Sequence, residues 1–155
     1  MLAMMMGLRV SEILGLRHGD VAHGRLHVQR ALVDEGLKKT KTVGSDRWLA
    51  IPPQVQKLIP EGDPDAPLVT ATRRQIYCRF EYWMEKKGPA QHYRFHDLRH
   101  VFASAMMDAG LNQASMRARM GHSTNAMLDR IYVHRMAETE QEADTQLNDY
   151  FNKLV

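Results

Sequence analysis

A chain of 155 residues, 44% hydrophobic and 25% charged, is the size of one domain and can fill one core. Its single cysteine, Cys78, excludes an intramolecular disulfide and a cysteine-rich zinc site, and no apolar run approaches the ~18 residues that span a bilayer. A net charge of +3 is compatible with a nucleic-acid partner without requiring one, and the lack of paired cysteines fits a reducing cytoplasm.

Taken in chain order, Met1 to Met6 has no basic segment before it and reads as the cut end of a buried helix, not as a signal peptide. Residues 10–16 predict a short helix with Ile13 and Leu14 facing inward. Three strand candidates follow at 25–32, 37–41 and 47–51, with turn residues at Asp34-Glu35-Gly36 and Val43-Gly44-Ser45. Pro52-Pro53 ends the sheet and opens a helix through Leu58, and 61–67 is a loop by composition. A helix over 72–87 stops at Gly88-Pro89. Further helices are expected at 97–108, 113–120 and 125–132, with a polar one over about 136–150.

In the 97–108 helix, Leu98, Phe102, Ala105 and Ala109 share one face and Gly110 is the expected residue just past the end; Gly121 ends the next helix in the same way. Cys78, among Tyr77, Phe80, Tyr82 and Trp83, is expected in or near the core, and most of the 11 methionines read as core filler. The fold class expected is α+β, mostly helical, with one small three-stranded antiparallel sheet.

Four segments carry chemistry. They are Gly7-Leu8-Arg9-Val10-Ser11-Glu12-Ile13-Leu14-Gly15-Leu16-Arg17, then Lys41-Thr42-Val43-Gly44-Ser45-Asp46-Arg47, then His96-Asp97-Leu98-Arg99-His100, and finally Gly121-His122-Ser123 with Tyr132-Val133-His134 starting ten residues after His122. Each has a plain reading by itself. Arg9 and Glu12 suit a surface ion pair at i,i+3. Lys41 lies in the basic run Lys38-Lys39-Thr40-Lys41, as a solvated hairpin tip would. His92, His96 and His100 recur every four residues, but a helix starting at Asp97 leaves His92 outside it and no three-ligand face for a metal.

In this order and spacing the four segments resemble the boxes of the tyrosine recombinase (phage integrase) catalytic domain, from Gly7 to about His134. The resemblance implies that Arg9, Arg99 and His122 hold the scissile phosphate and that Tyr132 is the nucleophile. The planar fork of an arginine suits the non-bridging oxygens of a phosphodiester, and one such preorganised donor is worth about 3–4 kcal/mol in a transition state. A tyrosine of ordinary pKa, about 10, needs a base or a strongly positive site. The resemblance gives that help to His96 and makes Lys41 the acid for the leaving 5′ oxygen, with Lys39 as the fallback. Glu12, one turn after Arg9, would orient the arginine. Lys39, Arg47 and His100 are candidate DNA-phosphate contacts.

The implied product is a 3′-phosphotyrosine, which stores the bond energy for rejoining. No Walker-type phosphate loop is present, and the acids near the boxes, Glu12, Asp97 and Asp129, are too few for a two-metal nuclease. The resemblance implies double-stranded DNA as the partner, and the absent motifs agree with a reaction that uses no metal or nucleotide cofactor. The family's tetrameric synapse implies self-association, for which the segment 137–155, with Leu147, Tyr150, Phe151 and Leu154, is a candidate contact; the same apolar residues equally suit a helix folded back on its own domain. Residues 1–155 are expected to be the catalytic domain alone, truncated at its start and lacking the family's core-binding domain. Two rivals stand beside this reading: a DNA-binding fragment without chemistry, and a DNA-relaxing enzyme of the type IB topoisomerase kind.

Overall fold

A computed structural model describes residues 1–33, 36–39 and 45–121. The chain opens with helix α1 (Leu2–Met6), which ends at Gly7 in the left-handed conformation, φ +66°. Helix α2 (Val10–Gly15) follows, then a single 3-10 turn over His18–Asp20.

The strands are β1 (Val21–Ala22), β2 (Arg25–Val28), β3 (Arg30–Val33), β4 (Gly36–Lys39) and β5 (Arg47–Ala50). They form a three-stranded antiparallel sheet in the order β1-β2-β5 and, separately, the hairpin β3-β4. The three-stranded sheet is thus present, but its members differ from those expected. The run 25–32 is broken at Gln29, and residues 37–39 pair with β3 rather than with the three-stranded sheet. A buried carboxylate explains the break. Asp20 accepts from Gln29 Nε2 at 2.8 Å and from an Arg30 guanidinium nitrogen at 2.6 Å, so two consecutive residues are turned toward it. The two-residue β1 takes the vacated place, and so short a strand carries no periodicity a sequence reading can use.

In the β2-β5 pair Leu26 faces Leu49 and Val28 faces Arg47, all buried, while His27 faces Trp48 on the outer side. His27 and Trp48 stack there with ring centroids 4.3 Å apart. The inner face covers a core of Ala3, Met6, Leu8, Ile13, Leu16, Leu26, Val28, Leu49, Ile51 and Val55. Helices α3 (Pro53–Gln56) and α4 (Arg73–Lys87) follow the sheet. Thr72 caps α4, accepting from the Gln75 amide at 3.2 Å while Gln75 reaches back to the Thr72 amide at 2.8 Å. Helix α4 half-buries Ile76, Tyr77 and Phe80, which leaves Cys78 on the opposite side. Cys78 is exposed, contrary to the core position expected of it.

Helix α5 (Asp97–Asp108) starts and stops where the sequence predicts. Its end is a Schellman motif, with Leu111 N–H on Met106 O at 3.0 Å and Gly110 N–H on Met107 O at 2.8 Å. Helix α6 (Gln113–Met120) is capped by Asn112 and ends at Gly121. A second core of Ala103, Met106, Met116 and Met120, flanked by Phe102, Met107 and Leu111, joins α5 to α6. Methionine does fill the cores at Met6, Met84, Met106, Met116 and Met120, whereas Met4 is exposed. The buried face of α5 runs through Arg99, Ala103 and Met106, and Ala105 and Ala109 are exposed. It is turned from the expected face because it begins with a charged residue, Arg99. The expected helices at 125–132 and about 136–150 lie outside the described residues.

Candidate active site

Arg9 is the residue just before α2, in an extended conformation, and Glu12 is three positions further on. The Glu12 carboxylate accepts the Arg9 amide at 2.9 Å and an Arg9 guanidinium nitrogen at 3.0 Å. This is no surface pair: the Glu12 side chain is 3% exposed and that of Arg9 25%. One carboxylate both satisfies the start of α2 and fixes the arginine that precedes it.

Arg47, expected as a DNA-phosphate contact, is turned inward instead. Its side chain is 6% exposed. It meets both oxygens of Glu12 at 3.1 Å, so Glu12 receives two arginines. Its Nε donates to the Arg119 carbonyl at 2.7 Å, and one terminal nitrogen reaches the Ser45 carbonyl at 3.1 Å. The cause is the period of the strand: Arg47 shares its face with Leu49, and that face covers the core. Burial by itself raises the Glu12 carboxyl, but the hydrogen bond and charge of Arg47, followed by Arg9, outweigh it and hold the group below the ordinary carboxylate range.

Arg99, on the first turn of α5, is 1% exposed. Its two terminal nitrogens donate to the carbonyls of Gly7 and Met120, at the end of α1 and the end of α6. Its Nε is buried and has no partner among the described residues. Burial, then the Arg9 charge, push its pKa down to about 9 against the opposing pull of Glu12, which leaves it cationic at neutral pH. A buried cation with an unsatisfied donor is costly unless an anion completes it.

His96 directly precedes α5 and is exposed. Partial burial, then the charges of His100 and Arg99, lower its pKa from 6.5, and Arg9 acts in the same direction. His96 and His100 sit edge to face with centroids 5.7 Å apart. Among the described residues no group of three or more His, Cys, Asp or Glu could hold a metal ion, and His92 is exposed. No helix among them is long and apolar enough to cross a membrane.

The fold thus brings Arg9, Glu12, His96, Arg99 and Arg47 into one electrostatic neighbourhood from α2, α5 and β5. Lys39 ends β4. Lys41, His122 and Tyr132 lie outside the described residues, as does the segment 137–155. Gly121, directly before His122, is described and follows α6, so the position where that box begins lies beside the Met120 carbonyl that accepts from Arg99. The part played by the Gly7 and Met120 carbonyls has no signature in side-chain motifs, since any residue supplies a carbonyl.

Residues 1–139 match the Phage integrase family. The integrase of Mycobacterium phage D29 is 32% identical over 158 residues, covering 88% of this chain and 42% of that protein. Tyrosine recombinase XerC of Yersinia pestis is 31% identical over 138 residues, covering 83% of this chain and 44% of that one. The chain therefore spans less than half the length of these relatives. Among solved structures, the Tn1549 transposon integrase in complex with circular intermediate DNA superposes with a TM-score of 0.64 at 20% identity, over 90% of this chain and 57% of that one. The XerA recombinase superposes with a TM-score of 0.64 at 21% identity, over 94% and 55%. The fold is that of the tyrosine recombinases. The chain belongs to the phage integrase family.

Proposed function

We propose that this chain is the catalytic part of a site-specific DNA recombinase that breaks and rejoins duplex DNA through a 3′-phosphotyrosine at Tyr132. The observation that carries the reading is the convergence of Arg9, His96 and Arg99, whose Nε has no partner among the described residues, at the point where the chain enters the His122 segment. Two guanidinium groups held by buried partners form a preorganised positive site of the kind that stabilises charge developing on a phosphate.

In the proposed reaction the Tyr132 oxygen attacks phosphorus and its proton passes to His96. The bond from phosphorus to the 5′ oxygen breaks, and Lys41 protonates the leaving oxygen. Arg9, Arg99 and His122 take the charge on the non-bridging oxygens, and Glu12 holds Arg9 in place. Reversal with a new 5′-hydroxyl rejoins the strand, so neither a metal ion nor ATP enters the scheme. The partner is double-stranded DNA, with Lys39 and His100 as outlying phosphate contacts; the Tn1549 integrase structures, in complex with circular intermediate DNA and with transposon right end DNA, support a DNA partner. Self-association on DNA through the segment 137–155 and a cytoplasmic setting complete the reading.

The test is covalent trapping. The chain is mixed with nicked suicide duplexes in the presence of a chelator and denatured, alongside Tyr132→Phe. A denaturation-resistant protein–DNA adduct that vanishes in Tyr132→Phe is the expected result. An adduct that survives in Tyr132→Phe would assign the nucleophile elsewhere, and no adduct on any family-like site would favour a binding fragment without chemistry.

The pH profile provides a separate check. His96 accepts a proton only when neutral, so adduct formation falls as pH drops through its pKa. Because that pKa is lowered, the fall is expected below pH 6.5, and His96→Gln should remove that limb. A midpoint above 6.5 would take the limb away from His96.

A further inference from the structure

We infer that Arg47 is a positioning residue for the DNA cleavage proposed above: a buried clamp that sets Arg9, the entry to the His122 segment and the stem of the Lys41 segment against one another. The inference rests on that proposed function for its meaning, but its geometry stands apart from it.

A guanidinium carries five N–H donors in a fixed plane. Those of Arg47 reach three separate parts of the chain. The terminal pair meets Glu12 at 3.1 Å on each oxygen, and Glu12 is the group that holds both the amide and the guanidinium of Arg9. The Nε donates at 2.7 Å to the carbonyl of Arg119, in the last turn of α6, three positions before His122. A terminal nitrogen meets the Ser45 carbonyl at 3.1 Å, four positions after Lys41. Every segment that Arg47 touches leads into a residue assigned to the chemistry.

A purely stabilising role fits this arrangement poorly. A buried ion pair is weak as a source of stability, and apolar residues of similar volume commonly replace one at no loss. At this place the sheet face is otherwise Leu26, Val28 and Leu49, so an apolar residue would pack well. What an apolar residue lacks is directional contact with three segments at once. A lysine, with a single point charge, cannot reproduce the planar fork either.

Arg47→Lys and the apolar double variant Arg47→Met/Glu12→Leu separate the two roles. Each is compared with the parent chain for folded fraction by circular dichroism, for DNA Kd, and for single-turnover adduct formation on the nicked duplex at a temperature where all are folded. Both variants are expected to stay folded and to bind DNA within about threefold of the parent. Both should cleave about 100-fold more slowly, as a displacement of about 1 Å in catalytic groups can produce. Cleavage within threefold of the parent, once scaled by folded fraction, would reduce Arg47 to a structural residue and overturn the inference.

A readout without chemistry guards the result. In the free protein Arg47→Lys should move the backbone amide resonances of both Arg9 and Gly121, which lie on separate elements. If neither moves, the clamp is refuted even if activity falls. If the parent forms no adduct, the proposed function fails on its own account, and these resonances still decide whether Arg47 couples the segments.

Discussion

Replacing Arg99 by methionine is expected to slow adduct formation at least about a thousandfold while leaving the chain folded. Arg99 holds a cation at the meeting point of α1, α5 and α6, with two donors on the Gly7 and Met120 carbonyls and Nε without a partner among the described residues. One preorganised donor removed from a transition state costs about 10²–10³ in rate, and the guanidinium offers more than one. The effect on stability is a balance of two terms. The two carbonyls lose their donor, at about 1–3 kcal/mol for each left unsatisfied. Against that, the variant no longer buries a charge whose pKa burial has pushed down to about 9. Urea denaturation and single-turnover trapping on the same samples check the prediction. A folded variant whose rate drops less than tenfold would remove Arg99 from the transition state. Arg99→Lys keeps the charge but cannot span both carbonyls, so it should fall between the parent and the methionine variant.

Much of the fold was legible because its signals are local. The bounds of α5 and α6 follow from Gly110, Asn112 and Gly121, and those of α4 from Thr72 and Gly88, residues that act on the one or two turns beside them. The sheet was legible only in part, since its membership depends on Asp20, a single buried carboxylate that turns Gln29 and Arg30 away from it. The motifs named candidate site residues, of which the fold brings Arg9, Glu12, His96 and Arg99 together. Arg47 was misplaced because basic residues near a phosphate site invite a surface role. The signal that corrects it was present, since a strand with Leu49 facing the core must turn Arg47 to the same side. Arg99 misled the reading of its own helix for a related reason. An apolar-face search skips arginine, yet the buried stripe of α5 begins with it. In both cases the departure from simple hydrophobic patterning marks the candidate site.

Gly7→Ala should destabilise the chain by about 3 kcal/mol. Two costs coincide there. The residue ends α1 at φ +66°, where an L side chain costs roughly 1–2 kcal/mol. A Cβ would also lie 2.4 Å from Phe102 Cδ1 and 2.9 Å from Cε1, in a ring that packs against the second core, and overpacking of this kind costs about 1–3 kcal/mol. For a domain of this size the sum corresponds to a fall in Tm of about 6–12 °C. Gly110→Ala is the matched control, because Gly110 has φ +73° but nothing within 4 Å of its added Cβ. It should lose only about 1–2 kcal/mol, the conformational part. Equal losses at the two positions would show that the Phe102 contact yields freely. The Gly7 carbonyl also accepts from Arg99, so any shift of the chain at Gly7 moves the acceptor that orients the buried guanidinium. Gly7→Ala should therefore slow adduct formation beyond what its folded fraction explains, whereas Gly110→Ala, whose glycine lies at the far end of α5, should cleave in proportion to the protein that remains folded.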